Sequence, residues 1–132
     1  MSLFAWLHSL LSSDATLQGL VGDRIYRDIA VSLPGVVFSL MSSSDVYGLP
    51  RSRILTSVVL GIKAVGRPNQ YNTLVGIADR VDAIMSGVLN QTYGSLSIHG
   101  CVRTNMFSYQ DDEPGGPFCH VGAQYRILVS GL

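Results

Sequence analysis

The chain has 132 residues, and nine basic side chains balance nine acidic ones at a formal net charge of zero, so it lacks the basic footprint of a protein that wraps nucleic acid or lies on anionic lipid. Charged residues make up 14% and hydrophobic residues 47%; so few charges cannot coat a free monomer, which predicts that part of the apolar surface meets other subunits. This length fits one domain, 1–132, burying roughly two-thirds of the surface that its unfolded chain exposes.

In chain order, Leu3, Phe4, Leu7, Leu10 and Leu11 recur at 3-and-4 spacing and predict a helix over 2–12, with Trp6 beside its stripe and core as its default place. The stretch lacks the basic n-region and cleavage site of an export signal, and the run VVLGI at 58–62 stops at Lys63, far short of the ~20 residues of a membrane span. A soluble chain made inside the cell is expected. Asp14 is placed to N-cap a second short helix through Leu17 and Leu20, which Gly22 ends.

Arg24-Ile25-Tyr26 reads as a short extended piece, and Leu33 must be extended because Pro34 follows it. VVFSLM (36–41) is the first substantial strand, and SSSDVYGLPRS (42–52) the loop after it. The alternation of RILTSVVLGIKAV puts Ile54, Val58, Leu60 and Ile62 on the core side, with Ser57 and Lys63 outward. From Tyr71 to Leu89 the period becomes helical, with Leu74, Ile77, Ala78, Val81, Ile84, Met85 and Val88 on one stripe. After NQTYG come two strands joined by SYQDDEPGGP (108–117). The predicted fold is α+β: one antiparallel sheet of about four strands, the long helix on one face and short N-terminal helices, in the order α-α-β-β-α-β-β.

In the first of the last two strands, strict alternation puts Leu96, Ile98, Val102 and Met106 toward the core, and His99, Cys101, Arg103 and Asn105 outward. In the second, Cys119, Val121, Ala123, Tyr125, Ile127 and Val129 face inward. Cys101 and Cys119 then lie on opposite faces, and no disulfide is expected.

No Gly-x-Ser-x-Gly elbow, His-Glu-x-x-His pair, Cys-x-x-Cys or phosphate loop occurs, so no catalytic, cofactor or metal set is assigned. His99, Arg103, His120 and Arg126 would share the outward face of the final hairpin, where they could bind an anion, line a channel or form an ordinary solvated face. A metal site from His99, His120 and Cys101 lacks a close ligand pair at zinc spacing. Asp111, Asp112 and Glu113, followed by Pro114-Gly115-Gly116-Pro117, read as a solvated hairpin tip. Asp45, Tyr47, Leu49, Arg51 and Arg53 are candidate partner contacts, since Tyr and Arg are enriched at interface hot spots.

LQGLVGDRIY, the LPGVVF lead into a strand, the helix YNTLVGIADRVDAIM and the closing hairpin, in this order over nearly the whole chain, resemble the small tail-completion, or tail-terminator, proteins of long-tailed bacteriophages. The resemblance implies a virion protein assembled in the host cytoplasm. It implies a homo-oligomeric, hexameric ring that caps the head-proximal end of the tail tube, stops its polymerisation and docks to the head connector. Its partners would be the tail tube protein and a connector or stopper protein, with DNA passing through unread. A stopper of the same neck region is the nearest alternative, and a small α+β ligand-binding domain or enzyme a more distant one. In such a ring sustained phosphate contacts would hinder a sliding duplex. Asp111, Asp112 and Glu113 are therefore expected nearer the lumen than the basic residues Lys63, Arg103 and Arg126, and the two loops 42–52 and 108–117 are expected to project toward neighbouring rings.

Overall fold

A computed structural model describes residues 2–49 and 52–132. The helices follow the sequence closely. Helix α1 (Ser2–Ser12) buries Leu3, Leu7 and Leu11, one face at successive i, i+4 positions, and also Trp6, whose indole N–H donates to Gln91 Oε1 at 3.2 Å. Helix α2 (Ala15–Val21) starts at Asp14, which accepts from the Leu17 N–H at 2.9 Å, and ends at Gly22. Helix α3 (Tyr71–Ser86), led in by a 3₁₀ turn at Pro68–Gln70, buries Leu74, Ile77, Val81 and Met85.

One sheet of six strands, in the order β1-β2-β3-β6-β5-β4, carries these helices. Its strands are β1 (Ile25–Arg27), β2 (Gly35–Tyr47), β3 (Arg53–Gly66), β4 (Leu89–Tyr93), β5 (Leu96–Asp111) and β6 (Phe118–Ser130). The four expected strands form its centre, and two short ones flank them. The Arg24-Ile25-Tyr26 piece becomes an edge strand parallel to β2, which makes the sheet mixed rather than purely antiparallel. NQTYG, expected as a connection, supplies β4, which returns into β5 through a two-residue turn whose Gly94 has φ 59.

The helices share one face. Val36 and Phe38 of β2, Val58, Leu60, Ile62 and Ala64 of β3, and Cys119, Ala123, Tyr125, Ile127 and Val129 of β6 meet Leu3, Leu7, Leu17, Leu74, Ile77 and Met85 in a single core cluster. On the helix-free face the chain crossing at 28–34 takes over. Arg24 Nε donates to the Pro34 carbonyl at 2.6 Å, the Ser32 N–H donates to the Tyr26 hydroxyl at 3.2 Å, and Asp28 N–H donates to the Phe38 carbonyl at 3.0 Å. This bracing lets a seven-residue connection join two parallel neighbours. With the crossing alongside, Val37 and Val65 are buried although they point away from the helices.

Three expectations fail for one physical reason: strand pairing runs beyond the core. Residues 42–47, read as loop, continue β2 and pair with β3 as far as Tyr47↔Arg53, leaving 48–52 as the connection. Ile54 keeps its face but is 55% exposed, because no helix reaches that end of the hairpin. Residues 108–111 likewise continue β5, so the second loop shrinks to 112–117.

The inward assignment in β5 holds at Leu96 and Ile98 and fails beyond them for a different reason. A register shift between Ile98 and Gly100 sets Cys101 opposite Ile127, on the core side, and Val102 opposite Arg126 on the other. A second shift between Arg103 and Asn105 returns Met106 to the helix side, opposite Ala123, where it remains exposed. Each bulge adds one residue and so reverses the faces of all that follow. Cys101, expected outward, thus packs against the core with Cys119; both thiols are free, separated along the sheet rather than by face.

Candidate interaction surfaces

The distal β2–β3 hairpin forms an arm that gathers the candidate partner contacts. Asp45 and Tyr47 lie on β2, Arg53 opens β3, and Leu49 sits in the connection at 97% exposure; Arg51 lies outside the described residues. The sequence builds the arm from short polar and β-branched residues that pair without a core beneath them. Asp45 accepts from the Thr56 hydroxyl at 2.8 Å, and Arg53 stands 4.0 Å from the same carboxylate. Met41, Val46, Tyr47, Leu49 and Ile54 are all exposed large apolar side chains on this one hairpin, the kind of concentration that marks an association surface.

A cleft of about 920 Å³ opens on the helix-free face, between the 28–34 crossing and the β5–β6 end. Asp111 and His120 meet there, with Nε2 of the imidazole donating to the carboxylate at 2.5 Å. Tyr109 stacks on His120 with ring centroids 4.4 Å apart, and its hydroxyl accepts from Lys63 Nζ at 3.0 Å. Arg67 reaches across to the carbonyl of Gly115 and lies over the Phe118 ring. Sequence reasoning missed this cluster, because Tyr109 and His120 become cross-strand partners only in a register set by two bulges. Asp111 is accordingly a half-buried strand residue, whereas Asp112 and Glu113 are exposed at the tip as expected.

The supposed common face of His99, Arg103, His120 and Arg126 is divided by the same bulges. His120 and Arg126 lie on the helix-free face, while Arg103 faces the helices, with its guanidinium 3.2 Å from Asp82 of α3. Asp82 also accepts from the Tyr125 hydroxyl at 3.0 Å, so one helix carboxylate ties α3 to two strands. Burial, then this hydrogen bond, push the Tyr125 phenol well above the usual range. Burial and the Asp82 charge push the Cys101 thiol up to about 12.

The chemistry open to these groups is narrow. The Cys101 thiol stays protonated at neutral pH and lies across the sheet from His120, so it offers that imidazole no thiolate. His99 Nε2 lies 3.0 Å from Ser130 Oγ at an exposed position, with no group orienting the other ring nitrogen among the described residues. His99, His120 and Cys101 do not converge, and no cluster of three metal-ligating side chains occurs among the described residues.

No protein-family model matches this chain, and no curated protein matches it. Its fold is similar to that of a chain in the virion of native gene transfer agent (GTA) particle. The two superpose with a TM-score of 0.75 over 95% of this chain and 92% of that one, at 17% sequence identity. The likeness is one of fold, and it covers nearly the whole of both chains.

Proposed function

We propose that this protein is a structural virion component that forms a hexameric ring on the head-proximal end of a phage tail tube, stops tube polymerisation and docks to the head connector. The observation that carries this reading is the near end-to-end fold likeness to a virion chain. It agrees with the GDRIY and LPGVVF segments of the resemblance, now seen as the two sides of the braced crossing. The exposed apolar arm and the low charge fit a protein that works through association. Tyr47 and Leu49 at the arm tip contact a neighbouring ring. Asp112 and Glu113, with Asp111 beneath them, lie nearer the lumen than Lys63 and Arg126, so that DNA slides past.

Particles assembled without the protein test this directly. Tails of irregular, excessive length, restored to uniform length when the protein is added back, are expected. Tails of normal length that fail to join heads would instead identify a stopper.

A further inference from the structure

The sheet has two long margins on which the backbone is unpaired. Strand β1 covers only Val36–Phe38 of β2, so from Ser39 to Tyr47 β2 has a partner on one side alone. At the other margin β4 covers Leu96–Gly100, and from Cys101 to Asp111 β5 pairs only with β6. Every second N–H and C=O along these runs points outward without a strand to receive it, a template for another chain. Proteins that avoid such pairing place Lys or Pro on the edge or bend it with a bulge. Bulges or irregularities do occur at Leu40/Ser42 and Val46/Tyr47 on β2 and at Arg103/Asn105 on β5. The regular runs that remain, Ser42–Val46 and Asn105–Asp111, contain no Lys, Arg or Pro.

The two margins complement each other. Antiparallel pairing from β2 to β3, β3 to β6 and β6 to β5 reverses direction three times, so β5 runs opposite to β2. In copies related by a simple rotation, β5 of one and β2 of the next are therefore antiparallel and continue the alternation. Position agrees as well. The cross-strand row Leu40–Leu60–Tyr125–Arg103 divides the sheet. The clean β2 run lies on one side of this row and the clean β5 run on the other. Joining them staggers neighbours along the strand direction, the shear that tilted strands need in order to close a sheet on itself. Strands β1 and β4 then flank the joint at its two ends. Val46 on one margin and Met106 and Tyr109 on the other, between 45% and 67% exposed, would be covered by it.

We propose that the occupant of each margin is a second copy of this chain: β2 Ser42–Val46 of one subunit adds to β5 Asn105–Asp111 of the next, making one continuous sheet around the ring. The joint is heterologous, so it propagates until rotation closes it. This inference rests on the ring reading above and specifies how its subunits meet.

The test is a short bismaleimide cross-link between Ser43→Cys and Ser108→Cys, both on the helix side of the sheet, in the full-length chain, assembled alone or on tail tube ends, with native mass spectrometry on the same samples. Both positions are exposed strand serines, and far-UV circular dichroism checks that each variant folds. The double variant is expected to give a covalent ladder up to the ring, which neither single variant gives. Amide exchange across 42–46 and 105–111 is expected to slow by roughly tenfold or more on assembly. Rings that assemble without the cross-link or the slowed exchange would overturn the joint and leave the ring standing. Dimers from either single variant would replace it with a two-fold contact, and a chain that stays monomeric and ignores tubes would overturn both.

Discussion

At the scale of single residues, Asp14 joins two elements at once. Its carboxylate caps α2 through the Leu17 N–H and receives two hydrogen bonds from Arg80 of α3, at 2.8 and 2.6 Å. The Arg80 hydrogen bonds, and then the Leu17 one, hold it at about 2 against an ordinary value of 3.8. Because the folded value is the lower one, the stabilisation is fully present above the ordinary value and is lost as pH falls from about 4 toward 2. Urea denaturation of the parent and Asp14→Asn chains is expected to show a stability difference near neutrality that closes over this window; a constant difference would mean that the ion pair contributes nothing. Tyr47 makes a second residue-level prediction. At 61% exposure it contributes little to the fold, so Tyr47→Ala should leave the melting temperature of the unassembled chain unchanged. It should weaken tube capping by ~2 kcal/mol if the ring buries it, measured as the concentration needed to halt tube growth.

At the scale of elements, the sheet divides into a half supported by helices and a half supported only by pairing. Substitutions in the first should be costly. Leu74→Ala or Ile98→Ala, both fully buried, is expected to lower stability by about 2–5 kcal/mol in chemical denaturation. Gly122 lies where β6 passes close to β3. A Cβ there would stand 2.6 Å from Lys63 Cα, so Gly122→Ala should cost about 1–3 kcal/mol through displaced backbone. Substitutions in the arm, such as Ile54→Ser, should change stability by less than about 0.5 kcal/mol. An arm whose substitutions destabilised as much as those in the core would contradict the division.

At the scale of the whole molecule, the proposed ring completes a neutral chain that has two open sheet margins. Association of folded chains stabilises them by mass action. The melting temperature is therefore expected to rise with protein concentration, in step with a hexameric species in native mass spectrometry. A melting temperature independent of concentration, together with a strictly monomeric mass, would remove the ring. In the assembled ring the acidic tip at Asp112 and Glu113 is expected nearer the channel than Lys63 and Arg126; the reverse placement in a structure of that ring would show that sliding DNA does not set the arrangement of charge.

Local chemistry in the sequence determined the helices, the caps of α2, the inward faces of β3 and β6, and the extended piece at Arg24-Ile25-Tyr26, because period and capping side chains act over a few neighbouring residues. The residue types proposed as arm contacts were legible before their strand was. Tertiary structure alone decided three things. It extended the central strands past the core, since backbone pairing does not require apolar residues. It recruited 25–27 and 89–93 as flanking strands, too short to be told from turns without their partners. It placed two bulges in β5, and with them the faces of Cys101 and Arg103 and the pairing of Tyr109 with His120. A bulge is a mismatch in length between paired strands, and one strand read by itself does not contain it.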